Sequence, residues 1–391
     1  MINKLYSSIQ KLHEFCKSEK YIGYSLYDSH NSPIPFKILG NKLSFLINQI
    51  NKRSPINLRP LLGIKKGINP KGYGLFLHAY TVLSILDVIN KDEAEERADY
   101  FLNWLVDNHS KSYSGYCWGY NYHWPKKDGH NIPPYTPNVV VTGFVSRALL
   151  AYYERFGNED VKRILKSASS FIMNDVHLYK GNDGYCFSYT PVVNDMTVNA
   201  NLLAAEVLAY SDYVNGENRY MEHIDQALKF TFSNQNNNGS WYYCFHYDNR
   251  TPKKQIDFHQ GYILESILRL NKYTNLDLSV YRTKLHKGLE FYYENQFSKD
   301  GRSYWRLPSK WPVDIHNQSQ GIITFSKFKD CNTDYLPFAE KIAEWTIMNM
   351  QDPRGKFYYQ KWPMITNKVN YMRWNQAWML LALTTLVKNH K

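Results

Sequence analysis

Gly355-Lys-Phe-Tyr-Tyr, followed by the polar-to-apolar stretch Asn375-Gln-Ala-Trp-Met-Leu-Leu-Ala-Leu383, is the last copy of a pattern that runs through the chain. The same glycine-plus-aromatic loop stands at Gly115-Tyr-Cys-Trp-Gly, Gly184-Tyr-Cys-Phe-Ser, Gly239-Ser-Trp-Tyr-Tyr and Gly301-Arg-Ser-Tyr-Trp. Behind each loop an apolar helix opens on a polar residue, near Asn138, Asn199, His259, His316 and Asn375, anchors 57 to 61 residues apart. A period of that size is one helical hairpin per repeat.

The spacing predicts outer helices over about 91–108, 159–178, 217–235, 278–296 and 333–350. They are amphipathic: Ala94, Ala98, Phe101, Leu102 and Leu105 recur at i, i+4, i+7, i+8 and i+11. Inner helices are predicted over 138–155, 197–214, 258–272, 316–328 and 371–388. At the N-terminus, 2–18 reads as a further outer helix and Gly23-Tyr-Ser-Leu-Tyr-Asp28 as a degenerate loop. A short helix over 40–52 and an irregular connection over 53–70 then lead to an almost wholly apolar inner helix over 72–89. Six outer and six inner helices suffice to close a ring. The expectation is an all-α (α/α)6 toroid, one domain over 1–391, with short strand pairs in the loops at one end. An open solenoid would need a terminal repeat with a polar face, and Trp378-Met-Leu-Leu-Ala-Leu383 is too apolar for that.

The chain of 391 residues carries a formal charge of +12. Nucleic acid is not the expected partner, because Lys and Arg are scattered, runs such as Lys126-Lys127 are short, and no recognition motif accompanies them. An anionic glycan or an anionic membrane surface suits the charge, as does solubility alone. The aromatic excess, 33 Tyr, 19 Phe and 10 Trp, suits sugar rings, which offer flat C–H faces and hydroxyl rims; much of it must also pack the core. No run of about 18 apolar residues predicts a membrane span. The N-terminus lacks the apolar core of a signal peptide. Five cysteines without C-x-x-C spacing fit reduced thiols, so a cytoplasmic location is expected.

In such a ring the inner-helix N-termini gather at one end, where free N–H groups and helix dipoles favour anionic or hydroxyl-rich ligands. Asp257-Phe-His259-Gln260 and Asp314-Ile-His316-x-Gln318-x-Gln320 start two consecutive inner helices. Asp at these places caps a helix by itself, as Asp195 would, but capping does not call for the His and Gln that follow. An Asp beside a His orients the ring and raises its pKa toward neutrality. Asp257, His259, Asp314 and His316 are therefore the candidate catalytic residues. Candidate binding residues are Tyr120, Tyr122, His123 and Trp124 in the loop Gly119-Tyr-Asn-Tyr-His-Trp124. Asn138, Asn199, Gln260, Gln320, Trp374 and Asn375 join them from the helix starts, and Arg306 and Arg373 as carboxylate partners. Tyr189, Trp241, Tyr243, Trp305, Trp311 and Trp362 would extend the aromatic wall. Cys117, Cys186 and Cys244 occupy related places and with His123 or His246 resemble a zinc set, but a cysteine after an aromatic is more often packing. No metal and no cofactor is expected, and no phosphate loop, nucleophile elbow or dinucleotide fingerprint is present.

Gly355-Lys-Phe-Tyr-Tyr, Thr366-Asn-Lys and Tyr371-Met-Arg-Trp-Asn-Gln-Ala-Trp-Met-Leu-Leu-Ala-Leu383 together resemble a family of helical-toroid proteins from surface-polysaccharide gene clusters, generally described as polysaccharide biosynthesis proteins. Asp314-Ile-His-Asn-Gln-Ser-Gln-Gly321 looks like the Asp-x-His-x-x-x-Gln-Gly stretch of that family. In architecture the chain is more distantly similar to glucuronyl C5-epimerases and to the acylglucosamine 2-epimerase and unsaturated glucuronyl hydrolase toroids. The resemblance spans most of the chain and implies a role in polysaccharide assembly; it transfers no catalytic residue, and a fold does not carry its function with it. Two functions follow as expectations. One is an epimerase, lyase or hydrolase acting on a uronic or acylated sugar within an oligo- or polysaccharide, anionic and lipid-linked forms included. The other is a non-catalytic glycan-binding or scaffold protein of the same pathway. A zinc cyclase and a terpene cyclase are weaker readings, the latter because no Asp-rich motif exists.

Overall fold

The computed structural model describes residues 1–34, 40–125 and 131–390; the Lys126-Lys127 run lies outside them. Outer helices are α1 (Ile2–Ser18), α4 (Lys91–Asp107), α6 (Glu159–Asn174), α8 (Met221–Ser233), α10 (Arg282–Asn295) and α12 (Tyr335–Met350). Inner helices are α3 (Pro70–Leu83), α5 (Val139–Phe156), α7 (Val198–Asn215), α9 (His259–Tyr273), α11 (Ile315–Lys327) and α13 (Trp378–His390). The additional α2 (Gly40–Arg53) lies between the two helices of the first hairpin. The inner helices pack in sequence from α3 round to α13, and α13 packs back on α3. The ring is closed, as the six-hairpin pattern predicts.

The loop glycine explains the period. A methyl group added at Gly355 (φ 102°) would lie 2.2 Å from the carbonyl oxygen of Lys11 on α1. Only a residue without Cβ lets that loop sit on the backbone of the next outer helix. Glycines 115, 184, 239 and 301 make the same approach to α6, α8, α10 and α12. At the seam the chain ends are stitched by Ser8 Oγ donating to Gln351 Oε1 (2.7 Å) and by the Lys4–Glu344 ion pair (2.9 Å).

A second device repeats with the first. An amide or hydroxyl near the start of five of the six inner helices accepts from a loop N–H: Trp118 to Thr142, Phe187 to Asn201, Trp241 to Gln260, Ser303 to Gln318 and Phe357 to Gln376. The four amides also return a hydrogen bond to a loop carbonyl. Four loops are thus pinned to their own inner helices at both polarities, which satisfies buried backbone groups that would otherwise cost about 1–3 kcal/mol each.

Short strands tie neighbouring loops together. Met196–Thr197 pairs with Cys244–Phe245, which pairs with Pro252–Lys253. Val313–Asp314 pairs with Gln360–Lys361, which pairs with Thr366–Asn367. The starts of α7 and α11 are thereby fastened to the loop of the following repeat. Two details depart from expectation. The first inner helix runs Pro70–Leu83, because Asn69 caps it on the Gly72 N–H with Pro70 in its first turn, and because Ser84 Oγ turns back onto the Thr81 carbonyl at its end. The last inner helix opens with a π-helical turn, Met372–Ala377, which widens the backbone where Arg373 and Trp374 stand.

Candidate functional site

At the loop end of the ring, the starts of α3, α9 and α11, the π turn and the loop over 119–124 converge on one cluster of titratable and aromatic side chains. The Asp257–His259 pair is formed: His259 Nδ1 lies 2.5 Å from Asp257 Oδ1, and the His259 backbone N–H also reaches that oxygen (3.2 Å). Gln255 Nε2 donates to Oδ2 (2.7 Å), and Arg306 Nε lies 3.6 Å from it. Burial by itself would raise this carboxyl, but the facing His259 imidazole and Arg306 hold it below the usual carboxylate range. An ionised carboxylate only accepts, so Nδ1 carries a proton and Nε2 is the ring nitrogen left to act.

The second Asp-x-His unit does not repeat this, which corrects the expectation that both aspartates orient their histidines. Asp314 accepts from the His316 backbone N–H (3.0 Å), from Trp374 Nε1 (2.9 Å) and from Gln360 Nε2 (2.7 Å). Its burial raises its pKa. The His316 ring turns instead to the neighbouring inner helix, where Nε2 meets the Tyr262 hydroxyl. Nδ1 is buried with no partner among the described residues. Burial, and then Lys71, Arg373 and His259 in that order, hold the His316 pKa well below the ordinary value, so its imidazole is neutral at pH 7. The physical reason is the company: this histidine faces Lys71 and Arg373 where an acid partner was expected. Both histidines pack on the Phe258 ring, at centroid distances of 4.2 and 4.3 Å. The two units therefore meet in one place while playing different parts.

Lys71 is the residue that sequence reasoning missed. It stands in the first turn of α3, one position before the predicted helix start, as a lone lysine in an apolar helix; that loneliness was the available signal. Its Nζ sits 3.9 Å from the Phe144 ring centroid, 5.3 Å from Trp378 and 5.4 Å from Tyr262. Burial, with Arg373 and Arg147 nearby, depresses its pKa well below the lysine range. Tyr262 was also missed; it stacks on Trp378 at 5.6 Å and links the lysine cage to His316.

Arg373 is buried, its guanidinium lying 5.2 Å from the Tyr120 ring and 5.3 Å from Trp374, and its Nε has no partner among the described residues. Tyr120 stacks on Tyr122 (5.1 Å) and meets the Tyr189 hydroxyl (3.3 Å), while Trp124 packs edge-on against Tyr189 (5.2 Å). Tyr243 lies 4.6 Å from His259. These rings form the aromatic wall, and His123 is half-buried in the same loop.

Other candidates are held by the fold. Asn138 caps α5 on the Val141 N–H (2.9 Å). Gln260 has both amide ends on the Trp241 backbone, and the Asn375 amide donates to the Phe357 and Val369 carbonyls. Asn199 is buried at the start of α7 with its Oδ1 unpartnered among the described residues. Gln320 lies deeper in the lumen and donates to Thr324 and, weakly, to Glu265. There Arg147 bridges Glu206 (2.6 Å) and Glu265 (3.0 Å) in a buried network that floors the site. Trp241 is fully buried with its indole N–H on the Thr231 carbonyl, and Trp362 stands on the exposed surface. Cys117 and Cys186 are core residues whose thiols burial pushes up. Among the described residues no three His, Cys, Asp or Glu side chains form a ligand set.

No family model matches the chain, and no curated protein matches it. Solved structures do. A cellobiose 2-epimerase from Bacillus thermoamylovorans superposes with TM-score 0.65 at 13% identity, over 84% of this chain and 90% of that one. A GH76 α-mannanase from Bacteroides thetaiotaomicron gives 0.62 at 13%, over 84% and 88%. A possible GH105 member from Klebsiella pneumoniae gives 0.61 at 14%, over 84% and 85%. At such identities the likeness establishes the fold, the (α/α)6 toroid.

Proposed function

We propose that this protein is a carbohydrate-active enzyme that moves a proton at a sugar carbon beside a carbonyl or carboxylate, and that its place is surface-polysaccharide biosynthesis. The observation that carries the chemistry is the setting of His316: a neutral imidazole, tied through Nε2 to Tyr262, with an Nδ1 unpartnered among the described residues and the Lys71 amine and Arg373 guanidinium alongside. A neutral buried imidazole can take a proton from carbon, with Tyr262 relaying or balancing the charge. The electron pair left behind moves onto the adjacent oxygen, where the Arg373 guanidinium opposes its negative charge and the Lys71 amine offers a hydrogen-bond donor. The Asp257–His259 pair is a second proton carrier on the same Phe258 ring. Return of the proton to the opposite face gives epimerisation; loss of a β-substituent gives a lyase outcome. Tyr120, Tyr122, Trp124 and Tyr189 supply faces for sugar rings, and Arg306 reaches the pocket edge.

The polysaccharide setting is supported by the C-terminal resemblance and by the sugar-processing enzymes that share the toroid, among them an epimerase. A second reading, hydrolysis by two carboxylates, is favoured by one observation. Asp314 is raised while Asp257 is lowered, the divergence an acid and a base require. Against it, each carboxylate is already taken up by three hydrogen-bond donors.

The test is NMR in D2O with a panel of uronic-acid and N-acetylhexosamine oligosaccharides. Exchange of one sugar C–H for deuterium, lost in His316→Gln, is the expected result. A cleaved anomeric signal would move the assignment to the carboxylate pair. Line broadening without chemistry would make the protein a glycan-binding module.

A further inference from the structure

Helix α2 buries polar residues and exposes apolar ones, with Phe45 and Ile47 half-buried between them. Its buried face carries Asn48 and Asn51, which bond Ser29 (3.0 and 2.9 Å), and Asn51 also accepts weakly from buried Arg59. Its exposed face carries Leu43, Leu46 and Ile50, spaced i, i+3 and i+7, and Ile50 is 54% exposed. Folding without a partner favours the reverse arrangement, and a contiguous exposed apolar stripe marks an interaction surface. A second apolar tip stands beside it. The hairpin of Gln360–Lys361 and Thr366–Asn367 exposes Trp362, Met364 (92%) and Ile365 (57%) at its turn, and Asn367 Nδ2 donates to the carbonyl of Ser54 just past the end of α2 (2.9 Å).

The segments that carry these tips hold charge of one sign, although Arg59, Lys71 and Arg373 among them are buried. Between Asp28 and Asp87 the chain has eight Lys and Arg and no acidic residue, and after Asp352 it has seven and none. On the surface here, Arg53 and Lys368 are exposed and Lys361 half-exposed. We propose that the face made by α2 and the hairpin over 360–367 docks on an anionic membrane surface. Protruding Leu, Ile, Met and Trp side chains enter the boundary between headgroups and acyl chains, and the surrounding cations meet anionic headgroups. A second copy of the chain fits less well, because an isologous contact would press one cationic face against another.

Docking places this face near the site. Lys52 of α2 donates to the Tyr27 hydroxyl (2.8 Å), Tyr27 packs on Tyr122, and the hairpin pairs with the strand carrying Asp314. The site is then turned toward sugars carried on a membrane lipid. That consequence rests on the proposed function; docking itself does not, and vesicle binding separates the two.

The experiment is co-sedimentation of the full chain with vesicles of phosphatidylcholine alone and of an equal phosphatidylcholine–phosphatidylglycerol mixture, at low and high salt. The triple variant Leu46→Glu/Ile50→Glu/Met364→Glu, exposed at every position, is run beside it with its thermal unfolding recorded. Binding to the mixed vesicles, roughly tenfold or more stronger than to phosphatidylcholine and reduced by salt and by the triple variant, is expected. Equal partition to both vesicles, or a triple variant that binds as the parent does, overturns the proposal. A salt-resistant dimer that the triple variant dissociates, with no vesicle binding, assigns the face to a second copy.

Discussion

The Tyr262 hydroxyl on α9 meets Nε2 of His316 on α11, so that two inner helices share one hydrogen bond across the mouth of the ring. Neither residue has another polar partner among the described residues for the atoms involved in proton transfer. His316→Gln should lower turnover by about 10²–10⁴-fold, and Tyr262→Phe by less, each without loss of the folded ring. Steady-state turnover beside thermal unfolding checks this; equal loss of stability and activity would count against a catalytic part for the pair.

The pH dependence follows from the same setting. The folded pKa of His316 is depressed below 6.5, so as pH falls from 6.5 toward that lower value the unfolded chain binds a proton that the folded one refuses. Stability should therefore fall with pH in this window, and His316→Gln should flatten the fall. The acid limb of turnover should lie below 6.5. Urea titrations and rate profiles over pH measure both.

Lys71 gives a sharper separation of stability from function. Lys71→Met replaces a buried amine with an apolar chain of similar length inside the Phe144, Tyr262 and Trp378 cage. Stability should hold or rise, because a group costly to bury is removed. Turnover should fall by roughly 10²-fold or more, the scale for losing one donor at a developing oxyanion. The acid limb of the rate profile should move upward, since one of the groups that depress His316 is gone.

Gln260 should behave in the opposite way. Its amide holds the Trp241 N–H and carbonyl, at 2.8 and 2.7 Å. Gln260→Ala should cost about 1–3 kcal/mol of stability by stranding buried backbone groups, with KM for a sugar substrate little changed. Denaturant unfolding and a KM measurement distinguish a loop pin from a ligand contact.

Gly355→Ala tests the closure of the ring. The added methyl would meet the Lys11 carbonyl at 2.2 Å in a backbone conformation with φ 102°. A loss of at least about 1–3 kcal/mol is expected from overpacking, with hydrogen exchange rising first in α1 and α12. Uniform exchange across the ring would argue against a local seam.

The fold was legible because its determinants are local and repeated. Glycine, aromatic, polar start and apolar run recur at a nearly fixed spacing, and each repeat needs only its neighbours. The aromatic loop over 119–124 was legible too, as was the Asp257–His259 contact, which joins residues two apart. What could not be read were pairings between repeats. Two identical Asp-x-His spellings gave different chemistry because the Asp314 carboxylate is taken by Gln360 and Trp374, from a strand and a π turn 46 and 60 residues away. Gln260 and Asn375 look like ligands in a list of polar residues, yet their partners are backbone groups of their own loops.

The sequence by itself determined the ring, its six hairpins and the end at which polar groups collect, because hydrophobic period and glycine placement act over short distances. The tertiary structure alone decided the electrostatics of the site. Lys71 is an ordinary lysine in the sequence; ring closure sets α3 beside α13 and buries its amine among three aromatic rings near Arg373 and His316. A pKa depends on every charge and every missing water within a few ångströms, and that neighbourhood exists only once the first and last repeats have met.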